Sequence, residues 1–126
     1  MNSSLKVIGA ALAGVAIGAA GIEGIRAQTK PPGYIVMEFE VTDPAGMKNY
    51  RDAARALPPT PGSTFIVRAA KGAALAGEPP KTITIIKFAS LDDALAFDAS
   101  PGYAALKAIR DKSSNMRSYA VEGLPN

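Results

Sequence analysis

Residues 34–41 read YIVMEFEV. Alternate side chains of a β-strand point to opposite faces of a sheet, so odd and even positions here serve different surroundings. The odd positions are all apolar: Ile35, Met37, Phe39 and Val41. The even positions are mixed: Tyr34, Val36, Glu38 and Glu40. This alternation predicts a strand that turns its odd-numbered face toward a hydrophobic core.

Upstream of this strand, the chain begins like a secretory signal peptide. Lys6 precedes an apolar run at 7–22 that is rich in Ala and Gly, and Ala27 is a small residue that suits cleavage. The run is shorter than the about 20 apolar residues of a typical membrane span. We therefore predict a signal peptide at 1–27, a tether at 28–32 and a folded domain at 33–123, in a periplasmic or secreted protein. The alternative is an uncleaved segment that anchors the protein to a membrane.

Downstream of the strand, Asp43 and Pro44 predict the start of a helix. A carboxylate at this position accepts hydrogen bonds from first-turn amides, and proline fits the first helical position, which needs no N–H donor. Apolar side chains then recur at helical spacing: Met47, Tyr50, Ala54 and Leu57. Pro58 and Pro59 end the helix. Core packing is therefore the expected role of Tyr50, and also of Tyr103, which lies on the apolar stripe of a later predicted helix.

The rest of the chain predicts further strands and helices. The predicted strands are 64–70, 81–88 and 116–122. A long connection joins the first two of them, with a short extra strand at 73–76 as an option. Ser90 and Ser100 predict N-caps for two successive helical segments, because each precedes a helical pattern.

The resulting order is strand, helix, strand, strand, helix, strand. It predicts an α+β fold, namely a ferredoxin-like βαββαβ sandwich with a four-stranded antiparallel sheet and helices on one face. The other face carries Tyr34 and Val36 and has no cover within the chain. We therefore expect a homodimer in which two sheets pack face to face around a two-fold axis, as a dimeric α/β barrel.

The amino-acid composition excludes several kinds of catalytic and metal site. The chain has no His and no Cys, so it has no Ser-His-Asp or Cys-His nucleophile, no imidazole or thiolate zinc site and no disulfide. Its net charge of +3 comes with no basic cluster, so no nucleic-acid partner is expected. There is also no glycine-rich phosphate loop in the predicted domain. We predict no cofactor and no metal.

Candidate ligand-binding residues come from the uncovered face and from one strand end. Glu38 and Glu40 share that face with Tyr34, and enclosure between two sheets would raise the pKa of such a carboxyl toward the range of a general acid or base. The alternative is that they pair with Arg68 or Arg117, or lie at a solvent-filled barrel mouth. Arg68 either binds an anionic ligand or serves as an ion-pair partner. No residue is assigned a catalytic role.

Ordered landmarks along the chain also resemble a known family. They are Gly33-Tyr34, Asp43-Pro44, Tyr50, Arg68, Gly77, Ser100-Pro101-Gly102-Tyr103, Arg110 and Glu122-Gly123. Together they resemble the family called domain of unknown function 1330, in the dimeric α/β-barrel superfamily, over residues 33–123. The resemblance implies a ferredoxin-like fold and a dimer. It implies no activity, although structural relatives of the family include cofactor-free monooxygenases and isomerases.

Two departures from the family pattern concern the rim of any pocket. The family usually has Glu where this chain has Gly102, and it has a plainer glycine-rich turn where this chain has residues 59–62, PTPG.

Two functions therefore remain open. The first is an exported homodimer that binds a small, partly apolar molecule between its sheets, with or without cofactor-free chemistry, through Tyr34, Glu38 and Arg68. The second is a non-catalytic structural or interaction module whose interior is filled by side chains.

Overall fold

Four strands and three helices make up residues 30–125, the part of the chain that the computed structural model describes. In chain order they are β1 (Gly33–Val41), α1 (Pro44–Ala56), β2 (Thr64–Ala70), β3 (Thr82–Phe88), α2 (Leu91–Ala99), α3 (Pro101–Ser113) and β4 (Ser114–Glu122). The predicted signal peptide at 1–27 and the first two residues of the predicted tether lie outside the described residues. None of the described helices is long and apolar enough to cross a membrane.

The sheet is antiparallel throughout, with the strand order β2-β3-β1-β4. This is the ferredoxin-like βαββαβ arrangement that the sequence predicts, and the prediction is confirmed. The helical segment between β3 and β4 consists of two helices, α2 and α3, because Pro101 starts a new helix directly after Ser100. β1 and β3 are the two central strands, and each is bonded to a strand on both sides.

The register of β1 shows which side chains share its inner face. Ile35 lies opposite Ile86, and Met37 lies opposite Thr84. The helices cover this face, and the core consists of Ile35, Met37, Phe39, Met47, Tyr50, Ile86, Phe88, Ala94, Tyr103 and Leu106. Of the odd positions in β1, Val41 differs from the prediction, because it ends the strand and is 37% exposed.

At two of the three helices, the side-chain N-cap is the one that the sequence predicts. Asp43 Oδ1 accepts from the Gly46 amide at 3.2 Å, and Ser90 Oγ accepts from the Asp93 amide at 3.2 Å, so both predicted N-caps are confirmed. Ser100 differs, because its Oγ donates to the Phe97 carbonyl at 2.7 Å. This hydroxyl therefore closes the last turn of α2 and makes no side-chain cap for α3.

The connection between β2 and β3 also differs from the prediction. Residues 73–76 form no strand there, and Leu75 is fully exposed. The segment is exposed and has no core against which to bury its apolar side chains, so these residues form no strand. β4 begins at Ser114, two residues before the predicted start at Met116.

Two glycines provide a matched test of this packing. A Cβ at Gly33 would lie 2.6 Å from the Leu91 Cα, whereas a Cβ at Gly102 would meet only Leu57 Cδ2 at 3.4 Å. We expect Gly33→Ala to lower the free energy of unfolding by about 1–3 kcal/mol, because the start of α2 must move. Gly102→Ala is expected to raise it by about 0.5 kcal/mol, because Ala favours a helix over Gly. Urea denaturation measures both, and equal changes in the two variants would contradict the packing described.

Candidate functional site

A cavity of about 690 Å³ lies on the helix side of the sheet, between α1 and the strands β2 and β3. It exists because α1 packs chiefly against α3 and leaves the inner face of β2 without a cover. Phe65 on β2 lines the cavity and is 48% exposed. We call this cavity the α1–β2 cleft. Its apolar lining includes Met37, Phe39, Met47, Ala54, Leu57, Phe65, Ile86, Phe88 and Phe97.

Two tyrosines form one polar part of the cleft wall. The hydroxyls of Tyr50 on α1 and Tyr103 on α3 lie 3.0 Å apart, and both residues are buried. Phe97 holds Tyr103 from the side, with ring centroids 4.6 Å apart. Burial, followed by the neighbouring Tyr103, raises the pKa of Tyr50 far above its usual range. The Tyr50 hydroxyl therefore stays protonated, and either hydroxyl of the pair can donate to the other.

A buried arginine stands behind these tyrosines. Arg110 is 7% exposed, and its Nη1 donates to Tyr103 Oη at 3.1 Å. Its Nε donates to Asp111 Oδ1 at 3.1 Å, at the protein surface. Tyr103 in turn donates to Met37 Sδ at 3.6 Å. The Tyr103 oxygen thus accepts from Arg110, and its proton points either to the Tyr50 oxygen or to the Met37 thioether sulfur, which is a weak acceptor.

Irregular pairing of β2 brings Arg68 into the same cleft. Phe65 pairs with Ile86 and Val67 pairs with Ile85, and the register shifts on both sides of Val67. In a regular strand, side chains three residues apart point to opposite faces, but here Phe65 and Arg68 both line the cleft. The Arg68 guanidinium lies 4.0 Å from the centroid of the Phe65 ring.

The bulged segment ends at a strained residue, Ala69, whose amide makes a hydrogen bond to β3. Ala69 has a φ of 46°, in the left-handed region that non-glycine residues rarely adopt. Its amide donates to Thr84 Oγ1 at 3.0 Å, so a buried threonine of β3 fixes this unusual turn of the strand.

The outer face of the sheet carries a second polar group. Arg117 Nε and Nη2 donate to the two carboxylate oxygens of Glu38 at 3.0 and 2.9 Å, and the Tyr119 hydroxyl donates at 3.0 Å. These hydrogen bonds, with Arg117 the larger cause, lower the pKa of Glu38 in the single chain. The direction is opposite to the rise expected for a carboxyl enclosed between two sheets. Of the two sequence-based interpretations, pairing of Glu38 with Arg117 is the one the structure shows.

The other predicted ligand contacts lie in different places. Tyr34 is on the outer face and half-buried, and Glu40 is on the same face but exposed near the end of β1. The structure thus brings Tyr34, Glu38 and Glu40 to one face of the sheet and places Arg68 on the other. Their contact with a ligand stays a prediction.

Sequence reasoning missed the cluster of Tyr50, Tyr103 and Arg110 as a polar site. It assigned the tyrosines to core packing and left Arg110 without a role. The available signal was the seven-residue spacing of Tyr103 and Arg110, which puts both on one face of a helix two turns apart. Within residues 30–125, no group of three or more acidic side chains is close enough together to hold a metal ion.

The geometry defines a ferredoxin-like domain with a cleft under its helices, and comparison with known proteins agrees on the fold. Residues 32–124 match the model of the family described as Domain of unknown function (DUF1330), and the chain belongs to this family. Among proteins with curated functions, none matches this sequence.

Three solved structures are similar in fold. A dimeric ferredoxin-like protein of unknown function from Bacteroides fragilis is 16% identical with a TM-score of 0.50, over 75% of this chain and 98% of that chain. A dimeric ferredoxin-like protein of unknown function from Thermobifida fusca is 15% identical with a TM-score of 0.50, over 74% and 92%. A hypothetical Arabidopsis thaliana protein is 14% identical with a TM-score of 0.52, over 77% and 92%. At these identities the likeness concerns the fold alone.

The tyrosine pair allows a test of the buried cluster. Tyr103→Phe removes the acceptor of the buried Arg110 Nη1, so we expect it to lower the free energy of unfolding by about 1–3 kcal/mol. Tyr50→Phe keeps the bond between Arg110 and Tyr103 and should cost clearly less, about 0.5–1 kcal/mol. Chemical denaturation of both variants makes the comparison. A larger loss in Tyr50→Phe would show that Arg110 does not depend on Tyr103.

The ion pair of Glu38 with Arg117 should make the free energy of unfolding depend on pH in the acidic range. Because the folded-state pKa of Glu38 is lowered, its stabilising contribution is complete above the unfolded value of about 4.3 and is lost as the pH falls through the folded value. We expect the free energy of unfolding to fall less steeply below about pH 4.3 in Glu38→Gln than in the natural protein. Arg117→Gln should flatten the same part of the curve. If the free energy of unfolding fell with pH as steeply in both variants as in the natural protein, the Glu38–Arg117 pair would not be the source of the acid sensitivity.

Proposed function

We propose that this domain is an exported, homodimeric binding protein for a small, partly apolar molecule, and that the molecule lies in the α1–β2 cleft of each copy. The observation that carries the proposal is the cleft itself. Its volume of about 690 Å³ falls within the range of small-molecule sites, and its lining is mainly apolar with a few convergent polar groups. The location differs from the space between two sheets that the sequence predicts.

The tyrosines suggest how such a ligand would be oriented. When Tyr50 donates to Tyr103, the Tyr103 proton points to Met37 Sδ, and a ligand oxygen in the cleft would be a better acceptor than this thioether. Tyr50 and Arg110 would keep the Tyr103 oxygen in place while its proton turns to the ligand. These groups supply hydrogen-bond donors, and we therefore propose binding, with or without cofactor-free chemistry.

The dimeric part of the proposal rests on the outer face of the sheet. By register with β1, its apolar side chains are Tyr34, Val36, Ile83, Ile85, Tyr119 and Val121. Tyr119 and Val121 are 41% and 42% exposed, so the face offers apolar area to a partner. The Bacteroides fragilis and Thermobifida fusca proteins of similar fold are described as dimeric. Face-to-face packing of two copies would enclose the Glu38–Arg117 pair.

Export is proposed from the pattern of residues 1–27. Mass spectrometry of the protein recovered from its native host tests it directly. We expect an N-terminus at Gln28, whereas a chain that retains Met1 in the membrane fraction would support the anchored alternative.

Ligand binding is tested with a thermal-shift screen and a pair of variants. Ala54→Leu places a larger side chain in the cleft, and Ala105→Leu makes the same change at an exposed site on α3. We expect some class of small apolar compounds to raise the Tm of the natural protein by several degrees, which corresponds to about 1 kcal/mol. The rise should persist in Ala105→Leu and disappear in Ala54→Leu.

Two results would contradict the proposal. A broad screen without any shift would favour the non-catalytic interaction module, in which the outer face is the functional surface. A shift that survives in Ala54→Leu would place the binding site outside the α1–β2 cleft.

A further inference from the structure

Charge is unevenly distributed around the α1–β2 cleft. Three arginines belong to its lining: Arg51 and Arg55 on α1, and Arg68 on β2. The lining contains no aspartate and no glutamate among the residues that the structure describes. The two walls therefore bring positive charge to the cleft from opposite sides, with no negative side chain in the lining to balance it.

Ion pairs within the domain leave most of this charge uncompensated. Arg55 has a loose contact of 3.9 Å with Asp52, which is already bonded to Lys48 at 2.8 Å. In residues 30–125, neither Arg51 nor Arg68 has an acidic partner within 4.0 Å. Basic residues outside the cleft in the same described range, such as Lys81 and Lys112, also lack an acidic partner within 4.0 Å, but Arg51 and Arg68 differ from these two because they line a mainly apolar cavity.

Arg68 stacks on an aromatic ring at the cleft. Stacking over the Phe65 ring covers one face of the guanidinium, and its edge, which carries the N–H donors, remains free to bind. The bulges of β2 put this residue in the cleft, although a regular strand would put it on the outer face. A planar guanidinium with a free edge is suited to bidentate recognition of a carboxylate.

We propose, as an extension of the binding function above, that the cleft selects amphipathic organic anions. The apolar body lies against the aromatic and aliphatic lining, and the carboxylate or similar anionic group lies between Arg68 and the arginines of α1. Apolar burial supplies most of the affinity. The charges supply selectivity for an anion over a neutral molecule of the same shape, and this part weakens as salt screens the exposed arginines.

Calorimetric titration with matched probes tests this proposal. Octanoate has an apolar chain and a carboxylate, octanamide has the same chain without the charge, and acetate has the charge without the chain. We expect octanoate to bind about fivefold to tenfold more tightly than octanamide at low salt, and acetate to bind far more weakly than either. Arg68→Gln should reduce octanoate affinity toward that of octanamide and leave octanamide affinity unchanged.

Lys112→Gln is the matched control, because it removes one positive charge from an exposed site on α3 that does not line the cleft. It should preserve the preference for octanoate. Equal affinities for octanoate and octanamide would overturn the selection of anions and leave the binding function standing. Acetate binding as tight as octanoate binding would reduce the site to a simple anion patch and also overturn the proposal. No binding of either long probe would count against the cleft as a site for such molecules at all.

Discussion

The whole structure depends on the position of β1, which is bonded to β3 on one side and to β4 on the other. A strand that is hydrogen-bonded on both edges cannot rotate about its axis. Its odd-numbered side chains must therefore all lie on one face of the sheet and its even-numbered side chains on the other. Ile35, Met37 and Phe39 are committed to the helices and form the core. Tyr34, Val36 and Glu38 are committed to the outer face, which no helix covers. A shift of one residue in this register would exchange the two sets and destroy both surfaces.

The cleft follows from a second constraint, the mismatch between a four-stranded sheet and the helices that cover it. α1 packs chiefly on α3, so the edge strand β2 is left with an inner face that no helix covers. The bulges of β2 then twist this edge and place Arg68 beside Phe65. An incomplete core and an irregular edge, which would each cost stability, together produce a lined cavity with a charged mouth. Such trade-offs are expected where a fold carries a site.

Much of the fold was predictable because its signals are local. The alternation of 34–41, the cap at Asp43 and the cap at Ser90 each depend on residues only a few positions apart. The ferredoxin-like topology follows from the order of the elements. Ser100 was misassigned because a serine between two helices can serve the end of one or the start of the other, and the sequence does not distinguish these uses.

The candidate site was less predictable because it depends on contacts between distant residues. Nothing in TFIVRAA, residues 64–70, signals two register shifts, so Arg68 was expected on the outer face beside Glu38. Tyr50 and Tyr103 meet only through the packing of α1 on α3, and Arg110 becomes buried only through the same contact. The pairing of Glu38 with Arg117 was an open alternative because it required the register of β1 against β4.

The central claim is that the two faces of β1 serve different partners: a ligand on the helix side and a second copy on the outer side. Methyl NMR of Val36 and Met37, which are neighbours in the chain but lie on opposite faces, tests this most directly. The account predicts that added octanoate shifts the Met37 methyl signal and leaves Val36 unchanged, whereas dilution shifts Val36 and leaves Met37 unchanged. A Val36 shift on octanoate addition with an unmoved Met37, or a Val36 signal indifferent to dilution, would contradict it.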